Sequence, residues 1–179
     1  MRRIIVGIVA LGFSQALAAR PADAQARGYV DVGGGVGFPT GRYNDLVKTG
    51  WLGQVAAGIT GPRGKFGGRI DGTFAKNEFA LGVGSLRFMG VMGDLVLSPR
   101  NAARRTRPYL LGGIGFQSAR NSLTATSDTK FAFNAGLGVT VRVGRGSSIY
   151  AEGRFLSVRT SPDVSNLFPI SAGVRLGGR

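Results

Sequence analysis

The sequence predicts an all-β chain: eight antiparallel strands running up and down, closed into a transmembrane barrel and preceded by a cleaved signal peptide. Three observations carry that prediction. The first is KFAFNAGLGVTVRV, Lys130 to Val143. Here Phe131, Phe133, Ala135, Leu137, Val139, Val141 and Val143 occupy every second position, with small or polar residues between them. Side chains alternate sides in a strand and not in a helix. At roughly 3.3 Å per residue the run reaches about 40 Å, and a tilt of roughly 45° brings its height near the ~30 Å of bilayer hydrocarbon. The second observation is that this alternation recurs along the chain between turn-rich segments. The third is composition: 43% hydrophobic residues, and 31 glycines without a Gly-X-Y period, fit neither a disordered chain nor collagen.

Met1 to Ala26 has the layout of a secretory signal. Arg2 and Arg3 open it, Ile4 to Phe13 is apolar, and Ala24-Gln25-Ala26 is a small-x-small cleavage site, with a cut after Ala18 as the alternative. The apolar run is too short to cross a bilayer. Residues 27–179 then form the barrel domain. No later run approaches 18 consecutive apolar residues, so a membrane form of this domain must be a closed barrel, because open strand edges are intolerable in lipid.

The strands are justified in order. Gly28 to Phe38 alternates Val30, Val32, Val36 and Phe38 with Asp31 and glycines, and Pro39 to Gly50 is a loop. Trp51 to Thr60 keeps Trp51, Val55, Ala57 and Ile59 in phase, ending at the turn Gly61 to Lys65. Phe66 to Ala75 places Phe66, Ile70 and Phe74 opposite Arg69, Asp71 and Thr73; Lys76 to Gly84 is assigned to a loop. Ser85 to Leu97 is ambiguous between two apolar faces, and Asp94 decides it, since a charge prefers the lumen. Arg87 then faces outward, tolerable near the water interface. Ser98 to Arg107 is a turn, Pro108 to Phe116 a strand, and Gln117 to Thr129 a loop. After the Lys130 strand come the turn Gly144 to Ser148, the strand Ile149 to Ser157, the loop Val158 to Asn166 and the closing strand Leu167 to Leu176. On this layout four longer loops alternate with the shorter turns Gly61 to Lys65 and Gly144 to Ser148, the asymmetry of outer-membrane barrels, and only the fourth connection, Ser98 to Arg107, breaks the pattern by being long.

Alternation alone does not say which face points out. A soluble lipocalin-like carrier puts the oily face inside, a membrane barrel outside. Gly33, Gly35, Gly37, Gly67, Gly113, Gly115, Gly136 and Gly138 crowd the polar face, and small residues suit the cramped interior of an eight-stranded barrel. Arg69 stands near Asp71, and Glu152 near Arg154, as a lumen requires of its charges. The oily face is therefore assigned outward.

Order and phrases then carry a resemblance. GYVDVGGGVGFP, GDLVLSP, RPYLLGGIGF, IYAEGRF and FPISAGVRL span Gly28 to Leu176. Together they resemble the small eight-stranded outer-membrane barrels of the outer membrane protein A-like and opacity-protein kind. The resemblance implies an outer-membrane location and a terminal aromatic residue, where this chain ends Leu176-Gly177-Gly178-Arg179.

Several functions are disfavoured. The chain has no histidine and no cysteine, so it lacks the commonest general base and thiolate metal ligands. No G-x-G-x-x-G occurs, and no cofactor is expected. The formal charge of +14 is scattered through strands and turns without an aromatic-basic platform, which disfavours nucleic acid. Arg69, Asp71, Asp94, Glu152, Arg154 and Arg175 are the candidate lumenal cluster, structural or gating, with Asp31, Lys130 and Arg142 as further members. Arg100, Arg104, Arg105 and Arg107 are candidate contacts for lipid head groups. Trp51, Tyr43 and Tyr109 are candidates for interfacial aromatic girdles. The expected protein is a non-enzymatic monomer whose partners are outer-membrane lipids and a surface ligand met through the loops. The alternatives are a narrow pore, a lipid-modifying or proteolytic enzyme, and the soluble carrier.

Overall fold

A computed structural model describes residues 26–40, 48–61, 64–78, 85–99, 105–121, 127–159 and 164–178. The signal region before Ala26, Tyr43, Arg100 and Arg104 lie outside these residues. Eight strands follow one another: β1 (Arg27–Thr40), β2 (Gly50–Thr60), β3 (Phe66–Glu78), β4 (Ser85–Leu97), β5 (Thr106–Asn121), β6 (Ser127–Arg142), β7 (Ser147–Arg159) and β8 (Val164–Gly177). Each pairs antiparallel with the next, and β8 returns to β1 through Val30 opposite Leu176 and Val36 opposite Ile170. Closure leaves no strand edge without a partner, the condition for a sheet in lipid.

Every predicted strand is present, and most run further than the alternation of apolar residues does. β3 continues through Lys76 to Glu78, β5 covers Thr106 to Asn121, and β6 begins at Ser127. The segments Lys76–Glu78, Thr106–Arg107, Gln117–Asn121, Ser127–Thr129, Val158–Arg159 and Val164–Asn166, expected in loops or turns, are strand instead. The physical reason is that backbone pairing needs no oily side chain. Where strands leave the hydrocarbon their outer residues turn polar, but the ladder continues. The expectation of four longer loops is corrected accordingly. Connections 79–84, 122–126 and 160–163 are short, and only 41–49 stays long at that end.

The start of β1 and the end of β8 share the opposite end with connections 61–65, 98–105 and 143–146, which makes it the periplasmic end by the usual layout of such barrels. The first of these turns is closed by Gly61 N donating to Phe66 O and Gly64 N donating to Gly61 O, each at 2.8 Å. Gly64 takes φ 65°, a conformation strained for other residues. The end of β8 is fastened: Gly177 N donates to Gly146 O and Gly178 N to Gly28 O, both at 2.9 Å.

The oily face points outward. Leu95 is 73% exposed, Leu137 66% and Ile114 60%, and Val32, Val55, Ile70, Met89, Phe116 and Val174 are exposed with them. In β4, Met89, Val91, Leu95 and Leu97 face out, while Phe88, Met92, Asp94 and Val96 are buried, the assignment that Asp94 required. A soluble carrier with an apolar cavity would need the reverse, and that alternative falls. The lumen is layered. Leu52, Ala75, Leu86 and Phe88 fill its external part, and Val96, Tyr109 and Leu111 its periplasmic part. Charged residues occupy the level between them.

Candidate functional site

The lumenal charges converge. Asp31 on β1, Arg69 and Asp71 on β3, Asp94 on β4, and Glu152 and Arg154 on β7 are all buried, although each is charged. Alternation puts them inward, and the register brings them to one level: Arg69 is directly opposite Asp94, and Asp31 directly opposite Arg175. Lumenal glycines supply the room. A Cβ at Gly113 would strike Asp94, one at Gly136 would strike Arg154, and one at Gly138 would strike the Tyr109 ring.

Arg69 is the hub. Its Nη1 donates to Glu152 Oε2 at 2.8 Å, and its Nη2 donates to Asp94 Oδ2 at 3.2 Å and Glu152 Oε1 at 3.3 Å. Asp31 and Asp71 lie at 3.8 and 3.7 Å from the same guanidinium. Arg154 Nη1 donates to both oxygens of Asp71, at 3.0 and 3.2 Å, and its Nε donates to Glu152. Strands β3 and β7 lie opposite each other in the ring, so these pairs brace the barrel across its diameter. Arg175 forms a fork with Asp31, Nε to Oδ1 and Nη2 to Oδ2 at 2.7 Å each, and lies 3.9 Å over the Tyr29 ring. Such planar, two-point contacts are the strong form of the arginine–carboxylate pair.

Four carboxylates here face three guanidiniums, and neutral donors take up the remaining acceptor capacity. Tyr109 OH donates to Glu152 Oε2 at 2.7 Å, and Asn134 Nδ2 donates to Asp94 Oδ1 at 2.9 Å. The eight carboxylate oxygens thus all have donors, while Arg69 Nε and Arg154 Nη2 are buried without a hydrogen-bond partner among the described residues. The arrangement suits bracing. The Tyr109 hydroxyl is held by Glu152, and each carboxylate oxygen is turned to a guanidinium or another donor.

All six predicted lumenal residues are brought together, and Asp31 joins them. Lys130 and Arg142 do not. Lys130 pairs with Asp128 at 2.9 Å near the external rim, and Arg142 is exposed at the periplasmic end. Tyr109 is a further correction: it was expected in an aromatic girdle, but it is 2% exposed and faces Glu152. Strict alternation through RPYLLGGIGF, with Leu110 outward, places Tyr109 inward, and that was the signal available. Trp51 does face outward, in contact with Phe74 at a ring distance of 5.5 Å. Among the described members of the basic turn, Arg105 and Arg107 are exposed. Arg107 shares the inward parity of Tyr109 and approaches the turn at Gly64.

Above the network, toward the external mouth, the lumen holds a cavity with about 40 Å³ open to water. Leu52, Phe88, Leu156 and Leu167 wall it; Gln54, Asn134 and Arg154 contribute polar atoms. A space of this size accommodates a few water molecules, at roughly 10–15 Å³ each.

A closed eight-stranded sheet, apolar outside and ion-paired within, defines a membrane-spanning β-barrel. The chain belongs to the outer membrane protein beta-barrel domain family, whose sequence profile matches residues 8–175, and it is an outer-membrane protein. Among solved structures it is similar to Neisserial surface protein A, with a TM-score of 0.71 at 18% identity over 83% of this chain and 96% of that one. It is also similar to a major outer membrane protein from Thermus thermophilus, with a TM-score of 0.60 at 12% identity over 84% and 99%. Ail, the attachment invasion locus protein of Yersinia pestis, gives a TM-score of 0.55 at 14% identity over 84% and 99%. These identities speak to the fold. No curated protein matches the chain by sequence.

Proposed function

We propose that this outer-membrane barrel is a non-enzymatic surface protein: its lumen is plugged, and it interacts with its surroundings through its external connections. Residues 1–26 serve as its signal peptide, residues 27–179 form the barrel domain, and it works as a monomer. The observation that carries the reading is the brace of Arg69 and Arg154 across the lumen, with an apolar layer on either side of it. An eight-stranded barrel is just wide enough for side chains to fill, and here charged side chains fill it pairwise. With the interior occupied, the external connections and the rim are the parts left to meet a partner. A similar barrel, Ail, has been solved in complex with the heparin analogue sucrose octasulfate, which supports a surface role for a protein of this fold. We propose further that the basic connection carrying Arg100, Arg104, Arg105 and Arg107 meets anionic head groups at the periplasmic face through Arg105, which is exposed there, whereas Arg107 has the inward parity.

Two measurements test this. In planar bilayers the refolded protein should be electrically silent. Discrete single-channel steps, altered by Arg69→Ala, would instead establish the narrow pore. An epitope placed within 122–126 should be labelled on intact cells, and labelling only after permeabilisation would remove the surface role. Hydrolysis of ester or peptide substrates by the purified barrel would reinstate the enzyme reading.

A further inference from the structure

The charge of the barrel is gathered at one end. Residues 27–179 hold eight side-chain carboxylates. Asp31, Asp71, Asp94 and Glu152 face the lumen, while Asp45, Glu78, Asp128 and Asp163 fall in the external connections or at the strand ends beside them. None is left for the periplasmic end. The segments that meet there, 27–28, 61–65, 98–107, 142–146 and 177–179, carry one, two, four, two and one basic residues, ten in all.

Three of these cations belong to the mouth of the barrel rather than to its lipid-facing wall. Arg27, Arg107 and Arg142 each stand one inward position beyond a buried residue, Tyr29, Tyr109 and Thr140 respectively, and all three are exposed. Arg107 reaches past β4 to the turn between β2 and β3, its Nη1 lying 3.7 Å from the place a Cβ would take on Gly64. Beneath them Tyr29 and Tyr109 flank the Arg175 guanidinium at 3.9 and 5.6 Å, and Asp31 already holds that guanidinium by two hydrogen bonds. Arg145, in the adjoining turn, is exposed as well. The backbone under these side chains is fixed: Ser98 N donates to Lys65 O at 2.9 Å, and Arg142 N to Arg105 O at 2.8 Å.

Lipid head groups surround the wall of a barrel and meet its outward side chains, whereas the mouth opens along the axis into the periplasm. A single exposed arginine–carboxylate pair is weak, so a solute with one carboxylate would exchange freely. A polymer with recurring carboxylates engages several guanidiniums at once, and each contact raises the effective concentration of the next. The fixed polymer of that chemistry on the inner side of an outer membrane is the peptidoglycan wall, whose stem peptides carry free carboxyl groups. We infer that Arg27, Arg107 and Arg142, with Arg145 beside them, form a docking surface for the carboxylates of peptidoglycan, which ties the barrel to the wall. The inference rests on the barrel's orientation, and neither on the plugged lumen nor on an external partner.

The test is co-sedimentation. The refolded barrel in detergent micelles is mixed with purified peptidoglycan sacculi, the sacculi are pelleted, and bound protein is measured as its concentration rises. Saturable binding is expected at low salt, weakening as salt screens the contact. In the combined variant Arg27→Gln, Arg107→Gln and Arg142→Gln, confirmed as folded by its heat-dependent migration, the apparent affinity should fall about tenfold, as for three exposed ion pairs lost together. The combined variant Lys76→Gln, Arg87→Gln and Arg120→Gln loses the same charge at the external end and should bind like the wild type. Sacculi whose carboxylates have been amidated, an arm that needs no variant, should capture no barrel. Equal losses in the two triple variants would mean bulk charge alone and overturn the site. Undiminished capture by amidated sacculi, or a wild type without saturable binding, would overturn it too. The wild type is then placed in nanodiscs of phosphatidylcholine or of phosphatidylglycerol, and capture should be equal in both. Capture lost in phosphatidylglycerol alone would give the mouth to anionic head groups and overturn the assignment to the wall.

Discussion

Gly113 and Ile114 are neighbours on β5, at one height in the barrel and on its two faces. Gly113 faces in, beneath the Asp94 carboxylate; Ile114 faces out, 60% exposed, with Phe133 and Gly93 opposite it. Inside, each group has named partners at fixed distances, and the charge on one residue is the condition for burying the next. Outside, side chains need only be apolar, because fluid chains fit whatever shape they meet. The two faces obey different rules a few ångströms apart. Identity matters within, and polarity alone matters without.

The sharpest way to break the inner face is Arg69→Ala. It strips Glu152 of its two-point contact, takes one cation from Asp94, and leaves four buried carboxylates with two guanidiniums. Removing one partner of a buried pair costs roughly 3–5 kcal/mol. The free energy of unfolding, measured in urea with vesicle-refolded protein, should drop by that amount. A loss under about 1 kcal/mol would show the network to be loosely hydrated and the brace unimportant.

The matching break on the outer face is Ile114→Arg. A cation on the lipid side near the midplane of a barrel costs roughly 2–4 kcal/mol, falling to about 0–1 near the interface. The same arginine therefore stabilises the lumen at position 69 and destabilises the barrel at position 114. Arg87→Leu sharpens the depth argument: if Arg87 lies at the interface, the leucine should change unfolding in phosphatidylcholine by less than about 1 kcal/mol.

Tyr109→Phe removes one oxygen from the lumen. Glu152 keeps Arg69 and Arg154 but loses a 2.7 Å donor to a charged acceptor, a contact worth about 1.5–3 kcal/mol. The ring still fills its place over Gly138, so packing is preserved. The same urea titration reads the difference.

This contrast also explains what was legible beforehand. Outward positions such as Leu95, Leu137 and Val174 repeat a period of two that any local window detects, so the strands and the sense of the faces follow from the chain itself. Asp94 alone fixed the orientation of β4, because burying a charge inward among partners is the cheaper choice. The pairing of Arg69 with Glu152 was not legible. It joins residues 83 apart across the diameter, and only the closed register brings them together. Tyr109 differs from its girdle expectation because an aromatic near an interface has two plausible roles, and only the parity of β5 turns it inward to Glu152. Strands outrun their apolar alternation because polar alternation beyond the hydrocarbon looks locally like a loop, as in Gln117–Asn121.

The smallest effect is the most discriminating for the outer face. Ile114→Leu moves one methyl group and changes neither volume nor polarity. In a packed core the swap requires neighbours to repack and costs up to about 1.5 kcal/mol. Against lipid there is nothing fixed to repack, and the change in unfolding free energy should stay within about 0.5 kcal/mol. It should therefore fall well below Tyr109→Phe, although both touch a single atom's worth of chemistry on the same strand. A cost for Ile114→Leu equal to that of Tyr109→Phe would mean that this stretch of β5 packs against a rigid surface in the membrane. The first candidate would then be a second copy of the chain, and the monomer would have to be given up.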